Sequence, residues 1–241
     1  MNIPKLRKER TVKNYHGYEL VDDYAYVDQP HNIIEVLRDP KKLLPEVRKY
    51  LEENNKITEE YFKDTKDLQK KLFKEIKSKI KLEDESLKFK DDRYFYWTKT
   101  IAKGNYTKFL RQKIGSSTIE TYFDGDKEKE LSGSKYFGLG TISVSHNDKL
   151  MAYSIDLKGS EYYDIIIKDL TTNKLVDEKI ENTSGTITWS LDSESFFYVP
   201  LDKYHRSKKI YKHVLGTPKK NDQLIFEEKD DSFSVGISLT A

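Results

Sequence analysis

Cysteine is absent from this chain of 241 residues. A chain without cysteine has no disulfide, no thiol nucleophile and no thiolate ligand for a metal. No stretch approaches the roughly 18 consecutive apolar residues that a membrane-spanning helix needs. The basic residues after Met1 are not followed by the apolar run of a secretory signal. We therefore expect a cytoplasmic protein with no membrane partner.

An excess of charge of one sign is also missing. Lys and Arg number 43, Asp and Glu number 41, and the formal net charge is +2. The two signs are interspersed along the chain, whereas a nucleic-acid-binding protein usually concentrates basic residues in one patch or stripe. The composition therefore predicts a mixed, solvated surface and no nucleic-acid partner.

Motifs that carry chemistry are lacking as well. The G-x-S-x-G turn that presents a nucleophilic serine does not occur. The nearest serine–glycine pairs are Ser132-Gly133 and Ser184-Gly185, where glycine permits a tight turn. No two histidines have the i, i+4 spacing of a metal-binding helix; the five are His16, His31, His146, His205 and His213. The sequence thus predicts no catalytic, binding or metal-ligating residue and no cofactor.

Three short segments have a structural interpretation that is stronger than the functional one. The segment 124–128, Asp-Gly-Asp-Lys-Glu, resembles the start of a calcium loop but lacks its later Gly and Glu, so we predict a solvated turn. Gly138-Leu139-Gly140 lacks the spacing of a dinucleotide-binding loop and is predicted to be a turn that enters a strand. The aromatic run 94–97 is expected to pack within a sheet.

What the sequence does contain is an internal repeat with an offset of 45 residues. The run Ile142-Ser143-Val144-Ser145 returns as Ile187-Thr188-Trp189-Ser190, and the pair 152–153 returns as 197–198. Short apolar-alternating runs that recur at this period and are separated by turns are typical of β-propeller blades. A further copy is predicted to begin near Ser232, with Phe233–Ile237 as its first strand. Since a propeller must close its ring, we expect the front part of a larger protein.

The repeat divides the second half of the chain into blades. The second blade is predicted over residues 136–182 and the third over residues 184–229. A less regular first blade contains strands at 94–97 and 109–113, which a turn at Lys103-Gly104-Asn105 connects. The fold class is therefore mainly β: about three blades plus one strand of an incomplete propeller, over residues 85–241.

A different pattern precedes the blades, in residues 1–84. Residues 1 to about 40 are predicted to be irregular, with Pro4, Pro30 and Pro40 among them. From residue 41 onward apolar positions recur at intervals of three or four, which predicts one helix or two consecutive helices. Pro45 lies where the first turn of a helix tolerates proline. The positions on this face are Leu44, Val47, Leu51, Asn54, Ile57, Tyr61, Thr65, Leu68, Leu72, Ile76 and Ile80.

Local motifs along most of the chain resemble one family. In order, they are His16-Gly17, Asp22-Asp23-Tyr24-Ala25-Tyr26, residues 35–40, Leu72-Phe73-Lys74-Glu75-Ile76, Lys168-Asp169-Leu170, Asn182-Thr183-Ser184-Gly185, Tyr211-Lys212-His213, Leu215-Gly216-Thr217 and residues 226–233. Together they resemble the N-terminal part of oligopeptidase B (protease II) in the prolyl oligopeptidase family of serine peptidases. The departures are conservative: Tyr26 stands where the family usually has Trp, and Val27-Asp28 replaces a Leu-Arg pair.

The resemblance implies a seven-bladed propeller that caps an α/β-hydrolase domain, with the helical segment 1–84 packed on that hydrolase. Relatives of this kind cleave short peptides after Lys or Arg, and their catalytic and selectivity residues lie in the hydrolase domain. The implied partners are therefore the remaining blades and the hydrolase domain, in the same or a separate chain. The chain alone is expected to be inactive, to expose apolar surface and to have marginal stability.

Two alternatives stay open at the level of sequence. The chain could be one half of a split peptidase whose other half carries the catalytic residues. It could also be a stand-alone propeller-type module that binds a protein and has no link to proteolysis.

Overall fold

The computed structural model describes residues 3–28, 35–36 and 39–240, so Pro30 and His31 lie outside the described residues. The chain is mainly β and divides into two compact units, Met1–Lys81 and Leu82–Ala241. The predicted domains, residues 1–84 and 85–241, stay a prediction, because compactness does not show that either part folds alone. Among the described residues, no helix combines the length and the apolar character needed to cross a bilayer.

The first unit contains a β-hairpin that the sequence analysis missed. Strands β1 (Thr11–Tyr15) and β2 (Tyr18–Asp22) pair antiparallel across a two-residue loop. His16 and Gly17 have φ values of 52° and 87°, as the tight turn of a hairpin requires. The side chain of Asn14 accepts the N–H of Gly17 at 3.1 Å. The prediction that residues 1–40 are irregular is therefore wrong for this segment.

Two consecutive helices follow, as the apolar spacing predicts. Helix α1 (Pro45–Tyr61) begins with its proline in the first turn, and α2 (Lys66–Ser78) begins after a short 3-10 turn at Lys63–Thr65. Val47 is buried, but four other apolar side chains of the predicted face are 44–62% exposed: Leu51, Leu68, Leu72 and Ile76. The amphipathic face exists and most of it is open to solvent.

The first blade has four strand positions, although five segments build it. Strands β3 (Asp84–Glu85) and β4 (Phe89–Asp91) both pair with β5 (Tyr94–Thr100), one with each end of it. They act as one interrupted strand. β5 then pairs with β6 (Lys108–Lys113), and β6 pairs with β7 (Ile119–Asp124). Tyr96 and Trp97 are buried, so the predicted packing role of the aromatic run is confirmed.

The segment predicted as a solvated turn after β7 is a helix. Helix α3 (Gly125–Ser132) is capped by the Asp124 side chain, which accepts the N–H of Lys127 at 3.3 Å. Aspartate satisfies free N–H groups well at this position. The helix ends at Gly133, whose φ is 61°, so Ser132-Gly133 forms a helix C-terminus.

Seven strands form the next two blades as one continuous antiparallel sheet. They are β8 (Gly138–Val144), β9 (Leu150–Asp156), β10 (Tyr163–Asp169), β11 (Lys174–Trp189), β12 (Ser195–Pro200), β13 (Lys209–Val214) and β14 (Gln223–Glu227). The first half of β11 pairs with β10, and its second half pairs with β12. β11 is therefore the fourth strand of the second blade and the first strand of the third. Both predicted blades are confirmed, while Gly138-Leu139-Gly140 lies inside β8 and is not a turn.

The register of the two blades follows the repeat of the sequence. Tyr153 on β9 and Tyr198 on β12 occupy the second strand of their blades, 45 residues apart. Tyr153 lies opposite Ile142 and Ile166, and Tyr198 lies opposite the residues 45 positions later, Ile187 and Tyr211. The prediction that these tyrosines are equivalent is confirmed.

The predicted first strand of a fourth blade, Phe233–Ile237, is not part of any β-ladder in the described residues. Among the described residues, the backbone of this segment bonds to the third blade once, through the N–H of Val235 to the carbonyl of Ser207, just before β13, at 2.9 Å. A strand needs a row of such bonds. The segment lies along the third blade without pairing, which corrects the prediction.

We predict that Gly185→Ala destabilises the chain much more than Gly115→Ala. Both glycines have φ above 80°, but a Cβ at position 185 would lie 3.0 Å from Tyr163 and 3.1 Å from Ser154, whereas none of the heavy atoms lies within 4 Å at position 115. Both variants therefore share the cost of a left-handed alanine, and overpacking adds about 1–3 kcal/mol only at position 185. Urea unfolding of both variants measures the difference. Equal losses of unfolding free energy would contradict the close packing at Gly185.

Candidate functional site: an open blade face

The residues considered as sites from the sequence do not assemble into one. Ser184-Gly185 lies inside β11, where the strand passes from one blade to the next. His16 and His146 are exposed in turns, and His205 contacts the ring of Tyr162. In the described part of the chain, no three His, Asp or Glu side chains come together as a metal site. A site of another kind is visible on the third blade.

The junction between the second and third blades shows how a blade face is covered. Ala152, Ile165 and Ile180 project from three strands of the second blade, and each is at most 2% exposed. They pack in one cluster with Trp189 and Phe196 and other apolar side chains of the third blade. The indole N–H of Trp189 donates to the carbonyl of Ser143 at 3.0 Å. We call Ala152, Ile165 and Ile180 the blade 2 face.

The third blade carries the same face without a cover. Adding 45 to the positions of the blade 2 face gives Phe197, Ile210 and Ile225, which we call the blade 3 face. Phe197 and Ile210 are half-buried and Ile225 is 45% exposed. Two apolar neighbours are more exposed still: Leu191 is 83% exposed and Phe226 is 48% exposed. Exposed apolar side chains grouped in this way mark a surface that another element covers.

The blade 3 face forms one wall of an open groove of about 730 Å³. The segment from Gly236 to Thr240 lines the other side of it. β14 is the edge strand of the seven-stranded sheet, so it also presents unpaired backbone groups. Lys212 replaces the buried Ile167 of the second blade and lies 6.0 Å from the centre of the Phe197 ring. The groove is lined mainly by apolar side chains, and Asp192 is the charged residue among the described residues that line it.

Sequence reasoning predicted that the third blade would expose apolar surface, but it did not say which residues form that surface. The signal was available, because the repeat relates each residue of the blade 3 face to a residue of the second blade. The sequence alone does not show on which side of the sheet each residue lies. The structure supplies this through the cluster around Ile165 and Ile180.

Comparison with known proteins gives a match over nearly the whole chain. Residues 4–241 match the model of the family described as "Prolyl oligopeptidase, N-terminal beta-propeller domain". Dipeptidyl aminopeptidase BI of Pseudoxanthomonas mexicana is 31% identical over 246 residues, which cover 96% of this chain and 33% of the relative. Protease 2 of Moraxella lacunata is 24% identical, with 99% of this chain and 34% of the relative covered.

Solved structures resemble the chain in fold. Oligopeptidase B from Leishmania major superposes with a TM-score of 0.81 at 22% identity, covering 97% of this chain and 34% of that one. Oligopeptidase B from Trypanosoma brucei, with covalently bound antipain in a closed form, gives a TM-score of 0.80 at 25% identity, covering 98% and 34%. The chain thus spans about a third of the length of the relatives it matches.

We predict that truncation of an isoleucine to alanine lowers the free energy of unfolding more on the blade 2 face than on the blade 3 face. Ile165→Ala should lower the free energy of unfolding by about 2–5 kcal/mol, as for other fully buried isoleucines. Ile210→Ala should cost about 1 kcal/mol or less, because its side chain is only half-buried. Chemical denaturation of the two variants tests this. Equal losses of unfolding free energy in the two variants would show that the blade 3 face is already covered.

The uncovered face also predicts the behaviour of the chain in solution. We expect the isolated chain to associate as its concentration rises and to unfold at a modest temperature, because apolar patches and strand edges promote association. Size-exclusion chromatography and thermal unfolding measure both properties. A monodisperse monomer with a sharp transition at high temperature would contradict the expectation, and Ile225→Asp should reduce any association.

Proposed function

The chain belongs to the prolyl oligopeptidase family through its N-terminal β-propeller domain, and on this premise we propose that it is the propeller-side part of a serine-type oligopeptidase. The observation that carries the proposal is the blade 3 face. Its residues Phe197, Ile210 and Ile225 follow, at an offset of 45, the residues Ala152, Ile165 and Ile180 that the second blade buries. A face with this arrangement of apolar side chains is buried only when a further blade packs on it.

The first partner in this proposal is the set of remaining blades. A fourth blade would pack its apolar side chains into the groove beside Ile210 and Ile225, as Trp189 and Phe196 pack on the second blade. It would also cover part of the exposed surface of Leu191. Burial of apolar area is worth about 25 cal/mol per Å², so this contact stabilises both sides.

The second partner is an α/β-hydrolase domain. The exposed face of α1 and α2, with Leu51, Leu68, Leu72 and Ile76, supports it. Long helices with one apolar face gain most of their stability from packing against another surface. In the complete peptidase the hydrolase domain provides that surface and also provides the nucleophile, the general base and the oxyanion-binding N–H groups.

The propeller in this proposal selects substrates by size. Hydrogen bonds between side chains and turns hold neighbouring blades together. The hydroxyl of Tyr96 donates to Asp148 at 3.0 Å, and the N–H of Asn147 donates to the hydroxyl of Ser193 at 3.0 Å. Blades tied in this way form a wall of fixed width. Such a wall admits short flexible peptides to the hydrolase and excludes folded proteins.

The proposed substrates are short peptides that are cleaved after Lys or Arg. The support is the resemblance to oligopeptidase B, both in motifs and in fold. Other relatives are named dipeptidyl aminopeptidase and prolyl endopeptidase, so the family includes several selectivities. Within this proposal, residues of the hydrolase domain determine the selectivity for the substrate side chain at the cleavage site, and the propeller limits the length of the peptide.

We predict that this chain is inactive alone and supports activity in a chimera. The chimera joins it to the part of the Pseudoxanthomonas mexicana dipeptidyl aminopeptidase BI that lies beyond the matched segment. The chain alone should not hydrolyse peptide esters or Lys and Arg peptides and should not react with a fluorophosphonate. The chimera should react with the fluorophosphonate and cleave peptides, because it unites both parts.

A matched pair of variants makes the experiment specific. Ile210→Asp places a charge on the blade 3 face and should abolish activity of the chimera, whereas Leu175→Asp, at a side chain that is 60% exposed on β11, should retain it. Labelling of the chain alone at one serine, removed by changing that serine to Ala, would overturn the proposal. A soluble, folded chimera without activity, combined with a stable monomeric chain, would favour the stand-alone module.

A further inference from the structure

A second cavity lies on the side of the third blade that faces the second blade. Its lining includes Tyr198 and Tyr211, which pack with the cluster around the blade 2 face, so it is separate from the groove of the blade 3 face. The volume of this cavity is about 640 Å³, and we call it the basic cavity. The basic residues that line it are Arg206, Lys208, Lys209, Lys219 and Lys220.

Part of the lining of the basic cavity is apolar. The rings of Tyr198 and Tyr211 stack with their centres 5.9 Å apart and their planes at 23°. Pro200 and Leu201 also line the cavity, and the long stems of the lysines add methylene groups. A small hydrated ion would leave this apolar surface uncovered, so the lining favours a ligand with an apolar body.

The carboxylates in the lining are engaged with donors of the third blade. Asp222 accepts the hydroxyl of Tyr198 at 2.7 Å, and its side chain is 2% exposed. Asp202 Oδ1 accepts the backbone N–H groups of Tyr204 and Arg206 at 2.8 and 2.9 Å. In the part of the chain that the structure describes, neither carboxylate forms an ion pair with a lysine of the cavity.

Three of the five cations have partners outside the cavity. Arg206 and Lys208 lie 3.6 and 3.4 Å from Asp231, and Lys209 lies 3.1 Å from Glu227. Neither of these acids lines the cavity. The pairs offset the charges of the three cations, so an uncompensated charge in the cavity must come from the other two.

Lys219 and Lys220 supply that uncompensated charge. Both are exposed and belong to one 3-10 turn, Lys219–Asn221. Lys219 donates to the carbonyl of Glu181 at 2.9 Å, which is a neutral acceptor. Neither lysine forms an ion pair with any of the described residues. Adjacent ammonium groups repel each other, and a carboxylate between them would offset this repulsion.

The repeat shows that the strands of a blade do not require this arrangement. Lys174, which precedes Lys219 by 45 residues, already belongs to β11, whereas the third blade has a 3-10 turn here and β14 begins only at Gln223. The third blade therefore departs from the second in the path of its backbone and in its charge at the same place. The residues 45 positions before the three paired cations are Glu161, Tyr163 and Asp164.

We propose that the basic cavity binds a small organic carboxylate that has an apolar body. The carboxylate pairs with Lys219 and Lys220, and the apolar body lies against Tyr211, Pro200 and Leu201. A few polar groups that orient a ligand within a largely apolar lining are usual in sites for small molecules. The lining residues all belong to the segment 198–222 of the third blade, so the proposal does not depend on the proposed peptidase function.

Matched ligands test the proposal on the full chain by isothermal titration calorimetry. N-acetylphenylalanine carries a carboxylate and an apolar ring, its amide lacks the charge, and N-acetylglycine lacks the ring. We expect the first acid to bind saturably and about fivefold or more tightly than either of the others, and its binding should weaken as salt is added. Equal binding of the acid and its amide, or no binding of the acid at millimolar concentration, would overturn the proposal.

A matched pair of variants locates the site. Lys220→Glu should weaken the binding of N-acetylphenylalanine by about fivefold or more. Lys174→Glu makes the same change at an exposed lysine outside the cavity and should bind like the unmodified chain. Equal losses in both variants would show a response to net charge alone, and unchanged binding in Lys220→Glu would place the ligand elsewhere; either result contradicts the proposal. The comparison of acid with amide needs no variant, so it decides the question even if Lys220→Glu does not fold.

Discussion

The structure depends on one constraint: a β-blade has two apolar faces, and each face must be covered by a neighbour. The second blade satisfies it on both sides. Phe123 and Phe137 pack against Tyr153 on one side, and Trp189 and Phe196 pack against the opposite face. The third blade satisfies it on one side only. The fold, the exposed groove and the proposed partners all follow from this difference.

The same constraint explains why a repeat in sequence becomes a repeat in geometry. Successive residues along a strand alternate between the two faces, so a shift of one position in the pairing would move an apolar set to the wrong side. The register around Tyr153 and Tyr198 is therefore fixed by packing on both faces. Polar contacts are less constrained. The hydroxyls of the equivalent tyrosines Tyr153 and Tyr198 both donate to carboxylates, but Glu128 and Asp222 come from unrelated parts of the chain.

Sequence reasoning predicted the features that depend on periodicity. The two helices, the second and third blades and the equivalence of the two tyrosines all follow from spacing, because burial of one face imposes a period. The features it missed depend on single local contacts. Asp124 was interpreted as part of a turn, but its side chain caps α3. The hairpin at residues 11–22 depends on the conformation of His16 and Gly17. The open face was predicted in general, and its residues required the three-dimensional register.

The continuous strand β11, from Lys174 to Trp189, has a consequence for how the chain folds. Its first half completes one blade and its second half begins the next, so neither blade can acquire all four strands without ordering part of the other. Adjacent blades then gain or lose structure together, in the manner of neighbouring units in a repeat protein. During synthesis the second blade can acquire its fourth strand once the residues up to Thr183 have left the ribosome, and the continuation of the same strand to Trp189 then serves as the first strand of the third blade. Folding along this chain would advance from blade to blade, with each completed sheet presenting the edge on which the next one forms.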